Sequence, residues 1–288
     1  MSLATHFFLT PENLRQIIEF RDQPAAVSSS ISLDLGMNRV IATLSREKCI
    51  QIGKRMLPIP EEFRTSEDER TIYIWRAQAW EKWQTFDEKS GKYYKMVFVQ
   101  PGKPPTIEIS GIKMHITQNG DPEQDTQFKL KSLKQLQGHV LDTCMGLGYT
   151  AIAASSLSKV KEVICCEKDP VVLEFCQENP WSQSLFRDPK IHPLLFPVDE
   201  FVTTLPDSFI DTIIHDPPRF ALAPELYSAP FYTELYRILR PGGGIYHYTG
   251  NPNRQTRRTA LAQKTAQLLL KTGFRQANMA YAGVVARK

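Results

Sequence analysis

The sequence has few cysteines, no long apolar run and little excess charge of either sign. Its 288 residues contain five cysteines, none in a CxxC pair, which predicts neither a disulfide framework nor a zinc site. No stretch approaches the roughly 20 apolar residues of a membrane span, and the start, MSLATHFFLTPENL, lacks the pattern of a signal peptide. We therefore expect a soluble cytoplasmic protein with no metal site and no membrane partner.

The charge balance permits an anionic partner without demanding one. The chain has 35 Lys and Arg against 31 Asp and Glu, a net charge of +4. A typical nucleic-acid-binding domain is more strongly basic or has a clear basic patch. The hydrophobic content of 42% is that of a soluble globular protein, and the length suits two domains.

Residues 1–115 predict a smaller β-rich domain. Thr10 and Pro11 have the pattern of an N-cap and first residue of a short helix, and short alternating runs from Val27 onward predict hairpins. Aromatic residues here could stack on nucleic-acid bases or could form the core and cross-strand pairs of a β module. We favour the second interpretation because aromatic residues are common in strands. They are Tyr73, Trp75, Trp80, Trp83, Tyr93 and Tyr94.

Residues 116–138 predict a polar linker and lead-in helix, after which residues 139–288 alternate between strand and helix patterns. Such alternation predicts an α/β fold with a doubly wound, mostly parallel, Rossmann-like sheet and helices on both faces. The last stretch, FRQANMAYAGVVARK, has no helix pattern and predicts an antiparallel C-terminal pair.

The stretch HVLDTCMGLG combines an apolar strand, a carboxylate and a glycine turn. The strand ends at Asp142, and the turn contains Gly146 and Gly148 before a predicted helix. Glycine lets the backbone turn sharply and lie against a ligand. A dinucleotide-binding turn would have a third glycine near Ala151, so NAD or FAD is not favoured.

Acidic residues follow four successive predicted strands: Asp142, Glu167, Asp199 and Asp216. The carboxyl ends of parallel strands form the ligand crevice of such a sheet. A carboxylate at the end of the second strand can accept hydrogen bonds from the two hydroxyls of a ribose. Asp169, just before Pro170, is instead predicted to be a helix N-cap.

Residues 139–288 resemble the class I S-adenosylmethionine-dependent methyltransferases, whose first motif is an acidic residue followed by GxGxG. Here the motif is Asp142, Cys144, Gly146 and Gly148, with Cys144 in place of the first glycine. The segments DTCMGLGYTA, ENPWS and HDPPRFALAPELYSAPFYTELYRILRPGG look like those of a group of uncharacterised predicted methyltransferases best known from archaea.

The resemblance implies S-adenosylmethionine as the cofactor. It implies that Gly146 and Gly148 lie against the amino acid part, Glu167 on the ribose hydroxyls and Asp199 near the adenine amino group. Asp142 and Cys144 belong to the same predicted cofactor site.

The segment HDPPRF resembles the [DN]PP[YF] motif of methyltransferases that modify amino nitrogens of planar bases. Asp216 and the carbonyl of Pro217 would accept the two hydrogens of the amino group, which directs its lone pair at the methyl carbon. Arg219 stands where the aromatic residue usually follows, and Phe220 comes one place later. Arg219 could bind a phosphate or carboxylate of the substrate.

The same region also resembles the spermidine synthases, which use decarboxylated S-adenosylmethionine. Asp216 and Tyr227 stand where that family has its acid and a tyrosine-bearing helix. The family's acidic polyamine groove and its usual glycine-rich first motif are missing. A rival of another class is a non-catalytic nucleotide- or RNA-binding protein, but the intact Glu167, Asp199 and Asp216 argue against it.

Two further features bear on the substrate, for which RNA and a small amine-bearing molecule both stay open. His247 is interpreted either as a substrate contact or second base or as a buried, hydrogen-bonded residue. Arg254, Arg257 and Arg258 form a basic cluster that would bind phosphate or would only begin a solvated helix. The sequence leaves open whether the protein is a monomer or a homodimer.

Overall fold

The computed structural model describes residues 6–21, 27–45, 49–59, 70–250 and 257–288. The chain divides into two compact units, residues 1–123 and 124–288. Within the described ranges, no helix is both long and apolar enough to span a membrane.

The first unit consists mainly of short antiparallel strands, as the sequence predicts. The elements are β1 Phe8–Leu9, α1 Pro11–Arg21, β2 Val27–Ile31, β3 Val40–Ser45, β4 Cys49–Ile52, β5 Arg55–Pro58, β6 Tyr73–Arg76, β7 Ala79–Lys82, β8 Gln84–Asp87, β9 Lys92–Val97, β10 Thr106–Ile109 and β11 Ile112–Lys113. Strands β2 to β5 form one meander and β8 to β11 another, while β6 pairs with both β1 and β7.

The aromatic residues of the first unit mostly contribute to its core. Trp83 and Tyr94 are fully buried, and Tyr93 is the exposed member of the six. Three more rings are partly buried against a core that includes Ile31, Ala42 and Ile50: Tyr73, Trp75 and Trp80. This burial agrees with the structural interpretation of these residues.

The second unit contains a seven-stranded sheet. The lead-in helix α2, Pro122–Ser132, spans the boundary between the units. The later elements are β12 Gly138–Asp142, α3 Tyr149–Ser155, β13 Val160–Glu167, α4 Pro170–Glu178, α5 Ser184–Arg187, β14 Ile191–Leu195, α6 Val198–Thr204, β15 Ile210–His215, α7 Ala229–Ile238, β16 Leu239–Tyr248, α8 Arg257–Lys271, β17 Arg275–Ala280 and β18 Gly283–Arg287, with 3-10 turns at Pro180–Ser182 and Pro224–Tyr227.

The strand order confirms the predicted fold class. The sheet runs β14-β13-β12-β15-β16-β18-β17. The first five strands in this order are parallel, and β18 is antiparallel to both of its neighbours. The two C-terminal strands therefore form the antiparallel pair that the last stretch predicts.

Burial on both sheet faces explains the near-continuous apolar strands. Leu141 and Ile213 on one face and Val140 and Ile214 on the other are completely buried, and so is Leu235 of α7. Each such side chain stabilises the fold by about 1.5–3 kcal/mol relative to an exposed one.

The predicted N-cap at Asp169 is confirmed, since its carboxylate accepts the backbone N–H of Val171 at 3.1 Å.

One helical segment is divided in two. The sequence PELYSAPFYTELYRIL forms a 3-10 turn and then α7, with the break at Ser228. The Ser228 hydroxyl accepts the backbone N–H of Phe231 at 3.3 Å, which caps the new helix.

Candidate active site

The candidate site lies where the strand order reverses. From β12 the chain proceeds to β13 and β14 on one side of the sheet, whereas β15 and β16 lie on the other. Asp142 ends β12 and pairs in register with Ile214 of β15, two residues before Asp216. Ligands of doubly wound sheets bind in the crevice at such a point.

The glycine turn connects β12 to α3 and requires two of its glycines. Gly146 and Gly148 have φ angles of 52° and 78°, in the left-handed region. A Cβ on Gly148 would lie 2.3 Å from Cδ1 of the buried Leu185. Cys144, by contrast, is not in the left-handed region, so a side chain fits where the resembling family has its first glycine.

Glu167 connects the end of β13 to the turn. Its Oε2 accepts the backbone N–H of Gly146 at 3.0 Å, and its Oε1 accepts that of Asp169 at 2.9 Å. Burial raises the pKa of this carboxyl, which the two N–H groups partly offset. Each oxygen still has a lone pair for a ligand hydroxyl.

Asp142 is buried behind the turn. Its Oδ2 accepts the Thr150 hydroxyl at 2.5 Å, whereas its Oδ1 is buried with no regular hydrogen-bond partner among the described residues. Burial raises the pKa of Asp142 to about 7, despite the hydrogen bond from Thr150. The backbone N–H of Cys144 also lowers this pKa, so Asp142 is held within the turn by neighbouring groups.

The ENPWS segment stabilises the glycine turn through buried hydrogen bonds. The Ser182 hydroxyl donates to the carbonyl of Leu147 at 2.7 Å, and Asn179 Nδ2 donates to Ser182 Oγ at 2.8 Å and to the Tyr149 hydroxyl at 2.9 Å. Both Asn179 and Ser182 are fully buried. The motif was visible in the sequence, but its role in holding the turn was not predicted.

The end of β14 adds an apolar surface beside the predicted adenine contact. Asp199 is exposed in the first turn of α6, four residues after the strand. Leu195 and Phe196 are roughly half-exposed, although both are large and apolar. The backbone N–H of Phe196 donates to the carbonyl of Glu167 at 2.9 Å, which fixes this surface next to the ribose-binding candidate.

The HDPPRF segment follows β15, and its residues differ in how exposed they are to solvent. Asp216 has 19% of its side chain exposed, Pro217 is buried, and Arg219 and Phe220 are exposed. The Phe220 ring lies edge-on to Tyr227 with centroids 5.5 Å apart. The Tyr227 hydroxyl donates to the carbonyl of Pro218 at 2.9 Å, so Tyr227 holds the loop.

Lys129 of α2 is a site residue that the sequence did not reveal. Its side chain is 2% exposed, and its Nζ lies 2.6 Å from Oδ2 of Asp216 and 2.6 Å from Oδ2 of Asp125. Burial alone lowers the pKa of this ammonium, but the two carboxylates outweigh that effect and raise it well above its usual value. The segment carries several lysines, and no pattern distinguishes the buried one.

The two histidines near the loop are buried and fully hydrogen-bonded. His215 pairs with the Thr143 hydroxyl at 2.6 Å and the Leu226 carbonyl at 3.0 Å. His247 accepts from the Tyr232 hydroxyl at 2.7 Å and donates to the Tyr248 carbonyl at 2.9 Å. With no free ring nitrogen, His247 has the features of the buried alternative rather than of a substrate contact.

Burial also keeps both imidazoles neutral. It lowers the pKa of His215 to about 4 and that of His247 well below its usual value. The two rings meet edge-on with centroids 4.3 Å apart.

The cavities among the described residues of the second unit include one beside the candidate site and one away from it. One of about 450 Å³ lies between the Asp216 loop and α8, a volume in the range of small-molecule sites. Its lining residues are Phe220, Tyr227, Ala260, Leu261, Lys264, Thr265 and Leu268. The other, about 230 Å³, lies at the opposite edge of the parallel strands, beside Asp211 and Arg240, which pair with each other at 3.0 Å.

The predicted basic cluster is only partly placed. Arg254 lies outside the described residues. Arg257 and Arg258 begin α8, where the structure describes the backbone only. Phosphate binding there stays a prediction.

No model of a known protein family matches the chain. The uncharacterized protein MJ1233 of Methanocaldococcus jannaschii is 41% identical over 256 residues, which cover 86% of this chain and 85% of that protein. The chain belongs to the family of this archaeal protein.

The chain also has more distant sequence similarity to two kinds of transferase. A polyamine aminopropyltransferase of Sulfolobus acidocaldarius is 25% identical over 130 residues, 44% of this chain and 43% of that protein. Putrescine N-methyltransferase 4 of Nicotiana tabacum is 25% identical over 164 residues, 56% of this chain and 42% of that protein. The chain thus matches less than half the length of these two enzymes.

A solved structure shares the fold. Spermidine synthase from Thermotoga maritima superposes with a TM-score of 0.55 and 17% identity, over 76% of this chain and 71% of that chain. The chain therefore has a fold like that of this spermidine synthase.

Proposed function

We propose that the chain is an S-adenosylmethionine-dependent methyltransferase that acts on an amino nitrogen. The proposal rests mainly on the hydrogen bonding and exposure of Asp216, which lies at the point where the strand order reverses. Its Oδ2 is held by Lys129 at 2.6 Å, while its Oδ1 makes no hydrogen bond to a described residue and the side chain is partly exposed. A carboxylate with one open oxygen can accept an N–H of a reacting amine.

The residues on the other side of the crevice fit the adenosyl cofactor. Gly146 and Gly148 let the backbone make the tight turn at the end of β12, and Glu167 offers lone pairs to ribose hydroxyls. Asp199 can accept the adenine amino group beside the apolar Leu195 and Phe196. When bound, the cofactor supplies a sulfonium-activated carbon.

The chain's residues would direct the amine and take its proton. Asp216 Oδ1 accepts a hydrogen of the amino group, which directs the nitrogen lone pair away from the carboxylate and towards the carbon. As the N–C bond forms and the C–S bond breaks, the nitrogen releases a proton that the carboxylate accepts. Positioning of this kind can supply several kcal/mol of the acceleration.

The charge around Asp216 favours a small amine over RNA. Asp125, Lys129 and Asp216 together carry one net negative charge when ionised, and the acids Asp142 and Glu167 lie at the neighbouring strand ends. Such a site attracts an ammonium and repels phosphate. The two named transferases with distant similarity are also named for small amines, putrescine and polyamines.

Aminopropyl transfer is the second candidate, favoured by the similarity to the polyamine aminopropyltransferase. Asp216 would play the same part, and only the attacked carbon and the cofactor would differ. Decarboxylated S-adenosylmethionine lacks the carboxylate of the amino acid part, so the two activities make different demands on the residues that face that part.

The test supplies S-adenosylmethionine labelled in its methyl group, or decarboxylated S-adenosylmethionine labelled in its aminopropyl group. Each is offered with a panel of di- and polyamines, bulk RNA and protein. We expect the label in the amine fraction, and the cofactor that donates it decides between methyl and aminopropyl transfer. Calorimetry should show cofactor binding that Glu167→Ala weakens and that the exposed control Glu174→Gln does not. Absence of binding and of transfer with both cofactors would overturn the proposal, and label in RNA would overturn the substrate class.

A further inference from the structure

The ion pair between Lys129 and Asp216 joins residues that are 87 positions apart in the chain. A lysine is seldom buried to this extent unless it is paired, and here the ammonium is enclosed by defined partners. Two carboxylates lie 2.6 Å from Nζ, and the centroid of the Tyr248 ring lies 4.8 Å away. The position of Nζ is therefore fixed from three sides.

The two carboxylates differ in what else they contact. Asp125 is 2% exposed, and its Oδ1 accepts the Tyr281 hydroxyl at 3.0 Å, so it is enclosed by the protein. Asp216 is the member that reaches solvent, and its second oxygen has no partner among the described residues. Asp125 thus anchors Lys129, and Lys129 in turn holds Asp216.

We propose that Lys129 is a positioning residue for group transfer, which fixes Oδ2 of Asp216 and thereby presents Oδ1 to the amino group of the substrate. The inference rests on the proposed function, because it needs an amine to react at Asp216. Without the ion pair, rotation of the carboxyl group would let either oxygen face the crevice. With it, one oxygen is committed to the protein and the other to the substrate.

The same contact keeps Asp216 in the form that can accept a proton. Burial raises the pKa of this carboxyl, and the adjacent ammonium opposes that rise. Tyr248 faces Nζ, and the other titratable side chains around the pair are Asp125, Asp142, Cys144, Tyr227, Tyr246 and Tyr281. Burial raises the pKa of Cys144 and of the last three tyrosines, which leaves the acids and Lys129 to set the local charge at neutral pH.

The variants distinguish a positioning role of Lys129 from its effect on the local charge and from its effect on folding. Lys129→Met alone would leave two carboxylates facing each other without a cation, which risks misfolding. The double variant Asp125→Asn/Lys129→Met retains one net negative charge, as in the native group. Asp125→Asn alone retains the pair of Lys129 with Asp216, and Lys131→Met changes an exposed lysine of the same helix.

The experiment measures kcat and KM against pH for each variant, with cofactor affinity measured by calorimetry. In the double variant we expect kcat at neutral pH to fall about 10²-fold, a typical loss for a misplaced proton acceptor. The acidic limb of its kcat profile should move to higher pH, and cofactor affinity should stay within about threefold. Lys131→Met should keep the native kcat, whereas Asp125→Asn should lose less than the double variant, because it removes the anchor of Lys129 and keeps its pair with Asp216.

Two results would overturn the inference. One is a double variant with native kcat and an unmoved acidic limb. The other is loss of cofactor binding together with turnover, which would assign Lys129 to folding alone. Both are distinct from failure of the proposed function, in which the native protein itself transfers no group to an amine.

Discussion

The carboxyl ends of β12 and β15 are neighbours in the sheet, but they are held in different ways. At the end of β12, the glycine turn is fixed by backbone groups and by nearby side chains such as Glu167 and Ser182. At the end of β15, the Asp216 loop is held by side chains, among them a lysine from a helix that precedes the sheet. The contacts of the first end lie within the turn and the side chains beside it, while the second end leaves one oxygen of Asp216 without a hydrogen bond to a described residue.

This difference suggests a division of tasks between the two strand ends. A turn held by backbone groups and buried side chains keeps its shape with or without a ligand, as the binding of an invariant cofactor would require. A carboxylate held through one oxygen keeps the other for a partner that varies. Changes at the first end should therefore reduce stability and cofactor binding together, and changes at the second should reduce turnover alone.

Asp216→Asn should have the largest effect. We expect turnover to fall about 10³-fold, equivalent to about 4 kcal/mol, because the amide is a poor proton acceptor. Unfolding free energy should change by less than about 1 kcal/mol, since Asp125 still pairs with Lys129. Turnover assays and urea denaturation measure the two quantities. Unchanged turnover would remove Asp216 from the mechanism.

Gly148→Ala should destabilise the fold by about 2–5 kcal/mol, from the left-handed backbone and the collision with Leu185. Denaturation measures this loss, and calorimetry should show weaker cofactor binding. The double variant Gly148→Ala/Leu185→Ala should lose less than the sum of its single variants, because the collision is relieved. Strict additivity would show that the packing against Leu185 does not matter.

Asp142 should make stability depend on pH. Its pKa is about 7 in the folded protein against 3.8 for an ordinary aspartate. Between these values the folded state holds a proton that the unfolded state has released, so stability falls as pH rises from about 4 to about 7, by up to about 1.4 kcal/mol per unit. Denaturation across this range should show a flatter profile for Asp142→Asn. Identical profiles would contradict the pKa.

Ser182→Ala should have the smallest effect of the four. It removes the buried hydrogen bond to the Leu147 carbonyl, at a cost of about 1–2 kcal/mol. The control is Ser156→Ala, because Ser156 makes an exposed bond to the Ala153 carbonyl at 2.8 Å. Denaturation should show a loss within about 0.5 kcal/mol for the control. Equal losses would mean that the ENPWS segment does not brace the turn.

The fold of the second unit could be predicted because its signals are local. Apolar runs that end in polar residues, a glycine turn and the Asp169 cap are each visible within a few residues, and all three agree with the structure. The division of the helix at Ser228 could also have been found, because serine followed by Ala-Pro is a common way to begin a helix.

The contacts of the Asp216 loop were less predictable because they join residues far apart in the sequence. Asp216 was found from its motif, but its partner comes from the segment predicted as a linker and lead-in helix. Whether Lys129 or a neighbour such as Lys131 points inward depends on how α2 packs, and the local sequence does not reveal it. The sequence allowed His247 to be buried and hydrogen-bonded, but the partners of its two ring nitrogens became known only from the fold.

The two buried histidines limit which charges the site can hold. Both reactants of the proposed transfer are cations: the cofactor carries a sulfonium, and an amine substrate is an ammonium before it loses its proton. A protonated imidazole beside the Asp216 loop would repel both. Burial keeps His215 and His247 uncharged at neutral pH. The loop therefore packs against a pair of polar rings that add no positive potential, so the acids and Lys129 determine the field that the two cations meet.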